Sequence, residues 1–167
     1  MSRCARWIRL DPCLPGRLGS ACAGFARAQP ARAAPTLLWS RGGAGAAFAL
    51  VVPLLAAPGR VWRWAGWALA PCVATLRRFG ERAYLEGDAV WLGGRRIAGC
   101  ETAAVGASAV MLSQFPPRAA RDAGTLETVF RERLEAQNGW QFDNSWPSAE
   151  ERAAIADALV PAGVDAQ

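Results

Sequence analysis

Short apolar runs separated by glycine turns fill the middle of this sequence, and they constrain its fold more than any other feature. Gly87-Asp88 and Gly93-Gly94 separate three of these runs. Two-residue glycine turns between β-prone runs are typical of hairpins, because glycine readily adopts the positive φ angles that these turns require. The region therefore predicts an antiparallel meander. Its predicted strands are residues 83–85, 89–92, 96–100 and 108–115.

A second hairpin is predicted nearer the start of the chain. Residues 36–40 are β-prone, and the glycine-rich stretch 41–45 would turn the chain back into residues 46–54. Residues 7–10 are short and alternate in polarity before Asp11-Pro12. That pattern indicates an edge strand or an extended lead-in.

Two helices are predicted before the meander. Residues 18–28 are small and apolar enough for the first one. Apolar residues at helical spacing predict the second over residues 61–79, with Pro71 as a kink or restart point. Gly80 follows as its expected C-cap.

The last fifty residues are predicted to be mostly helical. Thr125 is the expected N-cap of a helix that stops at Gly139. Residues 140–146 are interpreted as a connecting loop. Ser148 and Glu151 have the spacing of a capping box, which predicts one more helix.

These elements predict an α+β fold in which a mixed, mostly antiparallel sheet packs against helices. A chain of 167 residues has the size of one domain. We divide it into a lead-in over residues 1–17, whose order the sequence leaves open, and a domain over residues 18–117. A short helical extension over residues 118–167 is expected to pack on that domain.

The composition limits the chemistry that the chain can perform. All nineteen basic residues are arginine, and the chain has neither lysine nor histidine. Schiff-base lysines, P-loop lysines, serine–histidine triads and most zinc sites are therefore excluded. None of the five cysteines forms a Cys-x-x-Cys pair. We expect Cys72 and Cys100 to be small buried core residues in a protein of the reducing cytoplasm.

The charge and hydropathy patterns bear on macromolecular partners. Residues 1–43 carry seven arginines and one acid, whereas the rest of the chain is nearly balanced. A nucleic-acid-binding domain would be expected to carry its basic residues on the folded body, so we expect no nucleic acid partner. The apolar residues 44–76 are interrupted by prolines and arginines before they reach the roughly 20 residues that cross a bilayer. We therefore expect no membrane partner either.

Two segments rich in glycine and arginine carry a resemblance to a known family. Residues 40–48 read SRGGAGAAF, and residues 86–99 read EGDAVWLGGRRIAG. Together they resemble the biotin and lipoate protein ligases, in which a basic glycine-rich segment leads into a core strand. In that family a later strand pair carries Asp, an apolar run and a Gly-Arg-Lys-Ile-x-Gly motif. The resemblance extends over roughly residues 20–115 and implies a class II synthetase-like fold.

The resemblance also implies a function and a site. The family activates biotin or a lipoyl-type acid with ATP and Mg²⁺, and then transfers the acyl group to a lysine of a lipoyl or biotinyl acceptor domain. Glycine amides and an arginine fork would hold the phosphate of the acyl-adenylate. Arg96 stands where the family has its catalytic lysine, so we expect ligase activity to be weak or lost, and we assign no catalytic or metal-binding residue. The expected substrate- and phosphate-binding residues are Arg41, Gly42, Gly43, Gly94, Arg95, Arg96 and Gly99.

Other interpretations of these residues stay open. Gly93 and Gly94 are accounted for by a hairpin turn alone. The chain would then be a non-catalytic interaction or scaffold protein that has the ligase fold, or a small membrane-associated protein that uses residues 44–76. If a nucleotide binds, Glu101 and Asp143 are the acids that we expect to contact a metal or the ribose.

Overall fold

The computed structural model describes residues 3–10, 15–42, 45–116 and 123–159. Their strands form a single mixed sheet of eight strands, and four helices pack on its two faces. The strands are β1 (Arg3–Leu10), β2 (Thr36–Gly42), β3 (Gly45–Pro53), β4 (Ala83–Glu86), β5 (Ala89–Leu92), β6 (Arg95–Val105), β7 (Ser108–Gln114) and β8 (Trp140–Asn144). The helices are α1 (Pro15–Arg27), α2 (Trp64–Arg78), α3 (Ala123–Asn138) and α4 (Ala149–Leu159). A turn of 3-10 helix, Val61–Arg63, leads into α2.

The strand order is β4-β5-β6-β7-β3-β2-β1-β8. Strand β1 lies parallel to both β2 and β8, and every other described pair is antiparallel. The predicted α+β class with a mixed, mostly antiparallel sheet is confirmed. The sheet draws strands from all three segments into which the sequence was divided, residues 1–17, 18–117 and 118–167.

Each face of the sheet covers its own apolar cluster. On the face that α2 and α3 cover, here the α2–α3 face, the rings of Phe48 and Phe130 lie 4.6 Å apart, and Trp39 packs beside them. On the opposite face, here the α1–α4 face, Phe25 packs with Leu38 and neighbouring strand residues. Neighbouring strand residues such as Leu38 and Trp39 thus enter different clusters, as the two-residue repeat of a strand requires.

Two predictions near the chain ends differ from the structure. Residues 7–10 were expected to be an edge strand or an extended lead-in, but they belong to the longer strand β1, which lies between β2 and β8. β8 pairs with Arg3–Trp7, so among the described strands residues 8–10 have β2 alone as a partner. Residues 140–146 were expected to form a loop, yet Trp140–Asn144 is a strand in which Trp140 and Phe142 are buried. Their two-residue spacing, with polar residues between them, is the strand signal that a loop interpretation overlooks.

Pro71 was predicted to kink or restart helix α2, and the helix continues through it from Trp64 to Arg78 without a restart. Proline has no amide hydrogen, so the carbonyl of Trp67, four residues earlier, loses its usual helical donor. The side chain of Gln137 in α3 replaces it by donating a hydrogen bond to that carbonyl at 3.0 Å. A contact between two helices therefore satisfies the position that proline leaves open.

Helix α3 begins at Ala123, so Thr125 lies inside the helix and is not its predicted N-cap. The predicted capping box before α4 is present. The amide of Ser148 donates to the Glu151 carboxylate at 2.7 Å, and the Glu151 amide donates to the Ser148 hydroxyl at 3.1 Å. In the part of the chain that the structure describes, no helix has the length and apolar character needed to cross a membrane.

The same glutamate ties α4 to the sheet. Glu151 also accepts hydrogen bonds from the guanidinium of Arg6 in β1 and from the side chain of Gln29. Burial by itself would raise the pKa of Glu151, but these hydrogen bonds and the Ser148 amide lower it to about 2. The carboxylate is therefore ionised at neutral pH and holds three segments of the chain together.

Candidate functional site

The strand order brings the two glycine-and-arginine segments close together. The first segment enters β3 and the second enters β6, and only β7 lies between these strands. In the register, Cys100 is opposite Ser113, and Ala47 is opposite Gln114. A pocket of about 520 Å³ opens over this part of the sheet. It is lined by Ala47, Asp88, Arg96, Gly99, Cys100, Glu101, Leu112, Ser113 and Gln114.

The pocket lies on the α1–α4 face, since Ala47 and Leu112 also pack against the apolar cluster of that face. Ser113, another lining residue, donates a hydrogen bond from its hydroxyl to the carbonyl of Gly99 at 2.7 Å, which joins β7 to β6. Its cross-strand partner Cys100 also lines the pocket but belongs to the apolar cluster of the α2–α3 face. The lining thus combines two apolar side chains with a polar strip. This combination suits a ligand that has an apolar part and a charged end.

Arg96 and Gly99 meet in this pocket because of an irregularity in β6. Residues three apart in a regular strand point to opposite faces. The pairing of β5 with β6 shifts after Val90↔Ala98, so that Trp91 pairs with Arg96. Such a bulge inserts one extra residue and brings Arg96 back to the side of Gly99.

The guanidinium of Arg96 lies directly over Gly99. A Cβ atom at Gly99 would be only 2.5 Å from Nη2 of Arg96, so any larger residue would displace that side chain. Arg96 also faces the carboxylate of Asp88, with Nη2 and Oδ1 3.8 Å apart. Glycine at position 99 therefore determines where the one guanidinium of the pocket lining lies.

Gly94 belongs to the turn that joins β5 to β6, and Arg95 is the first residue of β6. Gly93 and Gly94 have φ angles of 57° and 74°, in the left-handed region that this two-residue turn requires. Arg95 is exposed where β6 begins and is not among the residues that line the pocket. The hairpin role of the two glycines is thus observed directly.

Arg41 points away from this pocket. It follows Trp39 by two residues in β2, and Trp39 is buried on the α2–α3 face. On that face, Nη2 of Arg41 donates to the carboxylate of Glu127 at 2.6 Å. Arg41 and Arg96, both predicted to bind substrate or phosphate, do not meet in one pocket, because the two side chains lie on opposite faces of the sheet. Gly42 pairs with Gly45 at the end of the hairpin, and Gly43 lies outside the described residues.

Glu127 forms a polar cluster of its own beneath β1 and β2. Its side chain is only 5% exposed. One carboxylate oxygen accepts hydrogen bonds from Trp7 Nε1 at 3.1 Å and from Arg9 at 2.6 Å, while the other accepts the bond from Arg41. The cluster fixes the ends of two strands to α3. Nothing in the sequence around Glu127 indicated this role, since the residue occupies an ordinary helical position.

The thiols of Cys72 and Cys100 are poorly suited to act as nucleophiles. Burial, together with the nearby carboxylates of Asp88 and Glu101, raises the pKa of Cys100 to about 12. Burial also raises the pKa of Cys72 well above its usual value. A thiol with such a pKa carries almost no thiolate at neutral pH, and the thiolate is the reactive form. The prediction that both cysteines are buried core residues is confirmed.

Several pocket residues were not among the predicted site residues. Asp88 belongs to the second segment but was not assigned a role, and Gln114 was recognisable as a polar residue that ends an apolar strand. Glu101, one of the two acids singled out in the sequence, lines the pocket, whereas Asp143 lies in β8 near the far edge of the sheet. Within the described ranges, no group of three or more possible metal ligands occurs.

Known structures share this arrangement of strands and helices. A bipartite lipoate protein ligase from Thermoplasma acidophilum, from a study that also includes its E2 lipoyl domain, superposes with a TM-score of 0.76 at 11% identity, over 93% of this chain and 91% of that one. Lipoate-protein ligase A bound with ATP gives 0.74 at 12% identity, over 93% and 94%.

A biotin ligase is also similar. The biotin acetyl coenzyme A carboxylase synthetase from Helicobacter pylori, with bound biotinylated ATP, gives a TM-score of 0.56 at 13% identity, over 81% of this chain and 75% of that one. No family model matches the sequence, and no curated protein matches it by sequence. The likeness thus lies in the three-dimensional structure. The chain has the class II synthetase-like fold of the lipoate and biotin protein ligases, the family that its two glycine-and-arginine segments resemble.

Proposed function

We propose that this chain is a lipoate or biotin protein ligase-like protein that binds an acyl acid or its acyl-adenylate in the pocket over β3, β7 and β6. The observation that carries the proposal is that Arg96, Gly99 and Ala47, which come from both resembling segments, line one pocket in a chain with the ligase fold. The pocket volume of about 520 Å³ is within the range of small-molecule sites.

The lining suits a ligand that has an apolar part and an anionic part. Ala47 and Leu112 offer an apolar wall for an acyl chain, and the guanidinium of Arg96 offers a forked donor for a carboxylate or phosphate. Because Gly99 has no side chain, the guanidinium can lie close to the strand backbone. These features fit lipoate, octanoate or biotin in size and polarity.

ATP and Mg²⁺ are the cofactors that this function would use. Arg96 would hold the phosphate, and the carboxylates of Asp88 and Glu101 are the pocket groups that would hold Mg²⁺. Magnesium usually binds one or two protein carboxylates together with phosphate oxygens, so this donor set fits. When bound, ATP would supply the activation of the acyl carboxylate. The acyl acceptor would be a lysine of a lipoyl or biotinyl carrier domain.

Arg96 is also the reason to propose weak or absent ligase activity. Arginine keeps a positive charge, but its planar guanidinium is larger than an ammonium group and places its donors differently. The alternative function is a non-catalytic interaction or scaffold protein. It is favoured by the charges of the pocket, where Arg96 already faces Asp88 and where two carboxylates accompany one guanidinium.

Isothermal titration tests the proposal. The full chain is titrated with lipoate, octanoate and biotin, each with and without ATP and Mg²⁺. We expect one acid to bind, and we expect Arg96→Ala to weaken its binding at least about tenfold, since a charge-assisted hydrogen bond is lost. Arg95→Ala is the matched control, because its guanidinium lies outside the pocket. Absence of heat with every ligand, or equal losses in the two variants, would contradict the proposal and favour the scaffold.

A further inference from the structure

The turn that follows β3 exposes an unusual number of apolar side chains. Within residues 54–63, Leu55 is 87% exposed, Trp62 69%, Val61 58% and Leu54 41%. Single exposed apolar residues are normal on soluble proteins, but a group of them on one short segment indicates a surface that contacts something. We call residues 54–63 the apolar turn.

The apolar turn also carries positive charge without compensation. Arg60 and Arg63 are both exposed, and in the described parts of the chain neither pairs with a carboxylate. The sequence has no acid at all from residue 12 to residue 80. The guanidinium of Arg63 lies over the Trp62 ring, 4.9 Å from its centroid. Exposed apolar side chains and arginine guanidinium groups therefore occupy the same segment.

Hydrogen bonds hold the apolar turn in a defined shape. Trp64 is buried, and its Nε1 donates to the carbonyl of Pro58 at 2.8 Å. The amide of Leu54 donates to the carbonyl of Ala107 at 2.9 Å, which fixes the start of the turn to the β6–β7 connection. The exposed side chains thus project from an ordered backbone, so that little conformational entropy is lost when they contact a surface.

We propose that the apolar turn docks reversibly on an anionic lipid surface. This differs from the sequence-based expectation of no membrane partner, which was argued from the lack of a segment able to span the bilayer. Tryptophan prefers the headgroup region of a membrane, where the amphipathic indole contacts both apolar and polar surroundings. Trp62, Val61 and Leu55 would enter this region, while Arg60 and Arg63 contact lipid phosphates. Self-association through the same surface is disfavoured, because two copies would bring these arginines together.

The proposed docking surface shares no lining residue with the candidate pocket. Leu54 and Leu55 follow the end of β3, whereas Ala47 of the pocket lies near the start of that strand. Trp62 and Arg63 lie closer, because they line a depression with Gly87, the chain neighbour of the pocket residue Asp88. The turn also leads into α2 on the α2–α3 face, and the pocket opens on the α1–α4 face. The turn and the pocket thus lie on different faces of the sheet, and this inference does not rest on the proposed function.

Vesicle co-sedimentation of the full chain tests the inference. One set of vesicles contains about 30% phosphatidylglycerol in phosphatidylcholine, and the other contains phosphatidylcholine alone. We expect binding to the anionic vesicles only, and weaker binding in about 0.5 M salt, where charges are screened. Trp62→Ser and the double change Arg60→Ala with Arg63→Ala should each weaken it at least about tenfold.

Trp146→Ser is the matched control, since Trp146 is 83% exposed but lies outside the apolar turn. Its vesicle binding should equal that of the unchanged chain. Circular dichroism spectra would establish that every variant is folded. Equal sedimentation with both vesicle types, or equal losses for Trp62→Ser and Trp146→Ser, would overturn the inference. So would sedimentation velocity showing a dimer that Trp62→Ser dissociates, because the turn would then contact a second copy.

Discussion

Replacing Glu127 with alanine should destabilise the fold markedly, although the residue lies outside the candidate pocket. The change removes the acceptor for Trp7 Nε1, and Trp7 is only 2% exposed. A buried donor left without a partner costs about 1–3 kcal/mol. Arg9 and Arg41 lose an ion pair each, but their side chains are 64% and 45% exposed and regain water. We assign about 0.2–1 kcal/mol to each of these pairs.

Together these losses predict a decrease of roughly 3 kcal/mol in the free energy of unfolding. For a chain of this size, the melting temperature should fall by about 6–12 °C. Urea unfolding followed by tryptophan fluorescence measures the change. Glu132→Ala is the control, because Glu132 is exposed on the same helix and should change stability by less than about 0.5 kcal/mol. A similarly small effect of Glu127→Ala would refute the role of the buried cluster.

Three further predictions concern single groups. Because the fold lowers the pKa of Glu151 to about 2, the stabilisation by its carboxylate is complete above the ordinary carboxyl pKa and is lost as the pH falls toward 2. Between pH 5 and pH 2.5, urea unfolding should show a smaller decrease in the free energy of unfolding for Glu151→Gln than for the unchanged chain. Gly99→Ala should displace Arg96 and weaken ligand binding in the titration while leaving the melting temperature nearly unchanged, and an unchanged affinity would contradict that contact. Iodoacetamide at pH 8 should label the exposed Cys4 but not Cys100, whose pKa is about 12, and peptide mass mapping would detect the opposite result.

Local signals in the sequence predicted the local structure well. The capping box of Ser148 and Glu151 and the turn at Gly93 and Gly94 depend on residues two or three positions apart, and both occur. The pairing of β1 with β8 joins residues from opposite ends of the chain. No local pattern carries that pairing, so residues 7–10 were predicted as an edge strand or lead-in. The loop prediction for β8 is different, because the alternation of Trp140 and Phe142 is a local strand signal.

The candidate site also has one feature that local sequence patterns predict and one that they do not. The face of Arg41 follows from the two-residue repeat of a strand, because Trp39 is an evident core residue and Arg41 must share its side. The meeting of Arg96 and Gly99 does not follow from that repeat, since residues three apart should point in opposite directions. A bulge in β6 reverses the expectation, and the sequence has no marker for it.

The neighbouring positions of β1 and β8 have a consequence for synthesis of the chain. β1 is made before α3, and β8, the strand that covers the outer edge of Arg3–Trp7, is made after α3. Until then, the amide and carbonyl groups along that edge are free to pair with a strand of another molecule. A nascent chain that has not reached Trp140 should therefore aggregate more readily than one in which β8 has formed.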